Sequence, residues 1–309
     1  MSRAIIRFSE SEHSALSRLT IPELTSCKHR FVLVLRAGPI SWARRCERFA
    51  KETIKYVLWP NTRGREIRNP WKRLKWKFFR LRRSFALRTD EGFVMYLDTS
   101  DAIVSKDIYL EGVYNPVWER GMLALAKKLL QPGCQFVDVG ANIGWYTLLS
   151  AQAGARVHAF EPEPRSGSLL KRSIQANDFQ NVEFHNTAVS DKVGEVKLYL
   201  SDNGNKGRHS IVWTKDKSIV VNSITLDSMF GEETIDVLKV DVEGAEPLVL
   251  DGARSLIEMR RVRNILMEWN PDSWRDMSVL RDFEAYDAET MAPFTFPNKQ
   301  RNVYFRLRG

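Results

Sequence analysis

The sequence predicts an α/β fold: a mostly parallel sheet with helices on both faces, preceded by a basic, mainly helical N-terminal extension. Three observations predict it. Strand-like and helix-like segments alternate from residue 135 onward. A glycine turn, Gly140 to Gly144, follows the first of these strands. Charge is also unevenly placed, with 21 Lys/Arg against 6 Asp/Glu in residues 1–83, whereas the whole chain carries 47 against 38.

The 309 residues suffice for one large domain and an extension, and the 43% hydrophobic and 28% charged fractions are those of an ordinary globular chain rather than a disordered one. Cys27, Cys46 and Cys134 are an odd number without disulfide or metal spacing, so they are expected as reduced thiols in a cytoplasmic protein. The stretch from Met1 to Glu12 has no apolar run of signal-peptide length, and Phe31–Leu35 is too short to span a bilayer. Any membrane contact is therefore expected at the surface.

In chain order, Ser41–Leu58 has helical apolar spacing and Pro60, Asn61 and Gly64 interrupt it. A second helix is expected from Asn69-Pro70 to Arg83. It sets Trp71, Leu74, Phe78 and Leu81 on one face among seven basic residues and no acid. That pattern suits packing on the main domain, an anionic membrane surface, or a polyanion such as RNA. The extension is assigned to 1–83 and the main domain to 84–309, led in by a β-hairpin over 84–98 that turns at Asp90-Glu91-Gly92. An amphipathic helix, Trp118–Leu130, ends at Pro132-Gly133. Strands are expected at Gln135–Val139, Arg156–Phe160 and Val182–His185, with helices Ile143–Ala153 and Pro164–Asn177 between them. β-like segments Glu195–Leu200, His209–Thr214 and Ser218–Asn222 follow. Then come a strand Val237–Val240, one helix Glu246–Glu258, a strand Asn264–Glu268, and a last pair, Phe283–Asp287 and Val303–Leu307. Residues 195–222 interrupt the alternation near the strand ends, so they are expected to line an acceptor pocket.

Ligands of open α/β sheets bind beyond the carboxyl ends of the strands. The turn there is Gly-x-x-x-Gly, which lacks the dinucleotide fingerprint and suits a ligand without pyrophosphate. Glu161 ends the second strand, some 20 residues beyond that turn, where a carboxylate accepts from a ribose diol. Lys239-Val-Asp241-Val-Glu243-Gly-Ala-Glu246 ends the next long strand. Glu246 reads as a helix-start charge, while Asp241 is expected beside the ligand.

Together the segments Leu110-Glu-Gly-Val-Tyr114, Val137-Asp-Val-Gly-Ala-Asn-Ile-Gly144, Ala159-Phe-Glu-Pro162, Thr187-Ala-Val-Ser-Asp191, Thr225-Leu-Asp227, Leu238–Glu246 and Leu266-Met-Glu268 resemble the FkbM family of S-adenosylmethionine-dependent methyltransferases. The resemblance covers about half the chain. It implies a Rossmann-like class I methyltransferase with a seven-stranded sheet, and S-adenosyl-L-methionine as cofactor. It also implies cofactor contacts at Asp138, Gly140, Asn142, Gly144 and Glu161, with Ala188 near the adenine, and O-methylation of a sugar, glycolipid or secondary-metabolite hydroxyl. Ala141 and Asp241 are added to the cofactor set by position, and Glu243 and Glu268 are assigned to the acceptor. Hydroxyl transfer calls for a base. Asp241 is the first candidate and His209 the second, while His158 and His185 read as packing residues.

Asp241, Glu268 and Asn270 could offer oxygen ligands to Mg²⁺, but oxygen ligands alone are a weak signal and no metal is assigned. An RNA methyltransferase is the alternative enzyme, and a non-catalytic cofactor-binding module the alternative class. Against RNA stands the Asp-Val-Glu sequence after the fourth strand, with no lysine between Asp241 and Lys299.

Overall fold

The computed structural model describes residues 76, 83–101, 103–112, 114, 119–201, 208–273, 278–296 and 299–309. These lie in the compact unit Arg68–Gly309, and the expected boundary at 83/84 falls inside that unit. The extension is otherwise outside the described residues, including the helix over 41–58, Cys27, Cys46 and the basic face of 69–83. Of that last segment only Trp76 and Arg83 are described. Trp76 is the one inside the core, and its ring packs on Phe85 and Tyr109 at 6.0 and 5.4 Å. Among the described residues no helix is long and apolar enough to cross a membrane.

The chain opens with a hairpin, β1 (Ser84–Arg88) and β2 (Val94–Asp98), turned at Asp90-Glu91-Gly92 as expected. Helix α1 (Val104–Glu111) was not anticipated, because its apolar residues make no clear stripe. Then come α2 (Arg120–Leu129), β3 (Gln135–Val139), α3 (Trp145–Gln152), β4 (Arg156–Phe160), α4 (Pro164–Ala176) and β5 (Val182–His185). A small sheet follows, made of β6 (Ala188–Val189), β7 (Gly194–Tyr199) and β8 (Ser218–Ile224). The rest is α5 (Leu226–Phe230), β9 (Ile235–Val240), α6 (Glu246–Asp251), α7 (Arg254–Glu258), β10 (Val262–Trp269), β11 (Phe283–Asp287) and β12 (Arg301–Leu307).

The main sheet has seven strands in the order β11-β12-β10-β9-β3-β4-β5, and β12 alone runs antiparallel to its neighbours. From β3 the chain winds outward to β4 and β5, then returns to pair β9 on the other side of β3. The crevice at such a reversal is where this fold class binds ligands. Side chains alternate between two cores. Phe136, Val237 and Leu266 face α2 and α3, whereas Val137, Leu238 and Ile265 face α5, α6 and α7. By the same alternation Asp138 and Lys239 share the first face, and they are paired in register.

Two expectations are corrected. His209–Thr214 is not a strand: only Ser210 bridges to Tyr199, and the Ser210 hydroxyl accepts from Val212 N and Trp213 N to turn the chain. The single helix Glu246–Glu258 is broken at Gly252-Ala253. A Cβ on Gly252 would lie 2.0 Å from Ser190 O, and the Gly252 carbonyl accepts from Asp227 N. Asp227 then caps α7, accepting from Ser255 N and Leu256 N, each at 3.0 Å. Gly252→Ala is therefore expected to destabilise the fold by about 1–3 kcal/mol through overpacking, read as a lower midpoint in thermal denaturation. An unchanged midpoint contradicts that close approach.

Candidate active site

A cleft of about 630 Å³ opens at the ends of β3, β4 and β9. Its walls include Gly140, Asn142, Phe160, Glu161, Ala188, Leu198, His209, Asp241, Val242 and Glu243. The expected sites thus fall into two groups. Gly140, Asn142, Glu161, Ala188, Asp241, His209 and Glu243 line the cleft. Asp138, Ala141, Gly144 and Glu268 are not on its wall.

Gly140 is the tightest point. Its φ is +77°, and a Cβ there would lie 1.9 Å from Asp241 O. Only glycine lets the β3 and β9 tips approach this closely. Gly140 N and Ala141 N both donate to Phe160 O, which ties the turn to β4. Asn142 then takes a left-handed conformation, φ 51°, and its amide donates to Glu161 Oε2 at 2.8 Å. Glu161 Oε1 accepts from Glu163 N at 2.8 Å. Burial nevertheless pushes the Glu161 carboxyl up to about 7. A carboxylate has about four acceptor positions. Two are taken, and the remainder suit the two hydroxyls of a ribose.

Behind the turn lies a buried ion cluster. Asp138 is fully buried, accepting from Thr147 Oγ1 at 2.6 Å and pairing with Lys239 Nζ at 3.2 Å. Asp138 is thus engaged as an internal anchor. Lys239 also donates to Gly140 O at 2.9 Å and sits 3.7 Å from Asp241 Oδ2. Burial opposes its charge, but Asp138, Asp241 and Glu119 outweigh it and raise the Lys239 pKa. Sequence reasoning gave Lys239 no role. A lysine inside an apolar strand was the available signal, since lysine is almost never fully buried unless paired.

Glu119 was missed as well. It accepts from Tyr114 OH at 2.9 Å and Tyr146 OH at 3.3 Å. Desolvation, then the charge of Asp241, moves its carboxyl to about 7. At the cleft mouth Glu243, φ 53°, is also near 7 through burial and Asp241, with Arg208 at 3.5 Å opposing. Glu246 is fully buried and accepts from Val242 N and Gly244 N. Burial puts it near 7, and its Oε2 has no hydrogen-bond partner. Glu268, half-buried, reaches about 8 for the same reasons as Glu243. Ser210 fastens the far wall by donating to Glu243 O at 2.8 Å. The expected lining by residues 195–222 is met by Leu198, His209, Ser210 and Ile211. His209 Nδ1 accepts from Ser201 N at 3.0 Å, so the neutral ring carries its proton on Nε2.

The residues present therefore fit a cationic nucleoside. The cleft offers a buried carboxylate with free acceptor positions at Glu161, apolar walls at Ala188 and Val242, and a surplus of under-neutralised carboxylates at its other end. The order of the seven strands, with one antiparallel strand and a cleft at the switch point, is that of the class I, Rossmann-like methyltransferase fold. Residues 138–289 match the family model for the methyltransferase FkbM domain. The chain carries an FkbM methyltransferase domain and is an S-adenosylmethionine-dependent methyltransferase. It is 29% identical to the methyltransferase sdnD of Sordaria araneosa, over 49% of this chain and 73% of that one. It is 24% identical to the 2-O-methyltransferase NoeI of Sinorhizobium fredii, over 50% and 71% respectively. Among solved structures, a TehB-like methyltransferase of Corynebacterium glutamicum aligns over 66% of this chain and 94% of its own, at 14% identity and a TM-score of 0.39.

Five glutamate carboxyls, at 119, 161, 243, 246 and 268, titrate at about 7 to 8 in the fold against an ordinary 4.5. The folded state thus binds more protons than the unfolded one across that window, and their contribution to stability is lost as pH rises through it. The thermal midpoint of the ligand-free chain is expected to fall from about pH 5 to about pH 8, and saturating S-adenosylmethionine to shrink that fall. A midpoint that climbs across the same window contradicts the raised carboxyls.

Proposed function

We propose that the chain methylates a hydroxyl of a sugar, glycolipid or secondary metabolite. The supporting observation is the acid-rich mouth of the cleft, where Glu243, held near 7, stands beside Asp241. S-adenosylmethionine, when bound, supplies a methyl group on a positively charged sulfur, open to direct displacement by an oxygen. Gly140, Asn142, Glu161 and Ala188 would hold its nucleoside end, and Asp241 its cationic end.

For the base, three features support Glu243 over Asp241. Its carboxyl is held near neutrality, where a base is both available and effective. It lines the cleft, and the Arg208 guanidinium 3.5 Å from its Oε2 is more than half exposed. Asp241 faces the buried ammonium of Lys239 at 3.7 Å and helps to balance it. His209, with Nδ1 taken by Ser201 N, acts as a donor that orients the acceptor rather than as a base. The name of the Sinorhizobium relative, a 2-O-methyltransferase, is consistent with a hydroxyl acceptor. An RNA acceptor is disfavoured because Asp241 and Glu243, on the cleft wall, would face its phosphates with like charge.

A tritiated-methyl transfer screen over sugars, glycolipids and RNA tests the acceptor class, with label expected in the hydroxyl compounds. Label in RNA alone overturns the reading. With an acceptor in hand, Glu243→Gln is expected to lower kcat by about 10²–10⁴-fold while leaving cofactor affinity within a few-fold. Full turnover in that variant removes Glu243 as the base.

A further inference from the structure

At the β5 edge of the main sheet, three side chains outside the wall of the cleft come together. His158 lies in β4, and Glu183 and His185 in β5. The parallel register sets His158 opposite Glu183 and Phe160 opposite His185, so the three share one face. His158 Nδ1 is 3.4 Å from His185 Nε2. The Glu183 carboxylate spans both rings, with Oε2 at 3.7 Å from His158 Nδ1 and Oε1 at 3.6 Å from His185 Nε2.

We propose that His158, Glu183 and His185 bind a divalent transition metal, with Zn²⁺ the best match and a fourth position left to water. Two histidines and a carboxylate are a recurrent zinc ligand set. Bonds of about 2.1 Å in tetrahedral geometry place donor atoms about 3.4 Å apart. The two ring nitrogens already stand 3.4 Å apart, and each carboxylate oxygen lies 3.6 or 3.7 Å from one of them, so a modest turn of the exposed Glu183 carboxylate would bring one oxygen to both. Without an ion the arrangement is poorly satisfied, because 3.4 Å is long for a hydrogen bond between two ring nitrogens. Desolvation lowers the pKa of both histidines, which keeps the rings neutral and able to ligate.

The surroundings suit a structural ion. Phe160 stacks on His185 at 4.5 Å and Phe230 meets His158 edge-on at 5.0 Å, so both rings are held in orientation. Glu183 is 62% exposed while the rings are 19% and 17% exposed, which leaves an entry path on the carboxylate side. Mere packing of two rings would not draw one carboxylate oxygen to each of them. The site also braces the catalytic end of the sheet. Phe160 lines the cofactor cleft, and Glu161 N donates to His185 O at 3.1 Å.

The test uses the full chain, titrated with Zn²⁺ in competition with a chromophoric chelator. Co²⁺ serves as a second probe, read by the visible absorption of a four-coordinate site. One ion is expected to bind with micromolar affinity or tighter. His158→Phe and His185→Phe should each abolish it. Glu183→Gln, at an exposed position that leaves folding intact, should weaken it by roughly 10-fold or more. Circular dichroism checks that each variant is folded. Absence of binding to the wild-type chain overturns the proposal, as does a stoichiometry and affinity unchanged in Glu183→Gln, which would put the ion elsewhere.

Discussion

A single buried carboxylate joins the two turns on which the active site rests. Glu161 accepts from Asn142 N, in the turn after β3, and from Glu163 N, in the turn after β4. Each charge-assisted bond of this kind is worth about 1.5–3 kcal/mol. Asn142 can therefore be held in a left-handed conformation that costs a non-glycine residue about 1–3 kcal/mol. The clamp is incomplete in the protein alone, since burial still favours the protonated acid. Two further donors would shift that balance toward the carboxylate, and a ribose diol carries two. The same group that shapes the turn is thus also short of hydrogen bonds where the cofactor would lie.

The second constraint is electrostatic. Lys239 is the buried ammonium at the centre of the site, and it faces Asp138, Asp241 and Glu119. Glu243, Glu246 and Glu268 form a further ring around Asp241. Apart from Lys239 and the Arg208 contact with Glu243, no other cation pairs with these six carboxylates among the described residues. A buried cluster with this imbalance keeps several members protonated until a cation arrives. The raised carboxyls therefore follow from one arrangement rather than from separate accidents. The proposed preference for a cationic ligand and the proposed base near neutrality both rest on it.

Much of this was legible in the sequence. The bounds of β3, β4 and β5 are those the sequence suggests, and β3, buried along its whole length, carries no exposed alternation to blur its limits. The tight turn at Gly140 and the place of Glu161 at the tip of β4 were legible because glycine and a strand-end carboxylate stand out at that spacing. Long-range partners were not. Asp138 looks like a cofactor contact by position, yet its register opposite Lys239 turns it into an internal ion pair. Glu119 heads an amphipathic helix and gave no hint of the two tyrosines around it, Tyr114 and Tyr146. The break at Gly252 was hidden too, since it is imposed by Ser190, over 60 residues earlier in the chain.

The convergence of the β3 turn and Glu161 on one nucleoside is tested most directly by isothermal titration of S-adenosylmethionine into the wild-type chain and Glu161→Gln. The account predicts binding to the wild type and a loss of about 10–100-fold in the variant, the worth of one charge-assisted hydrogen bond. Equal affinity in the two proteins, or no binding to the wild type, would contradict it.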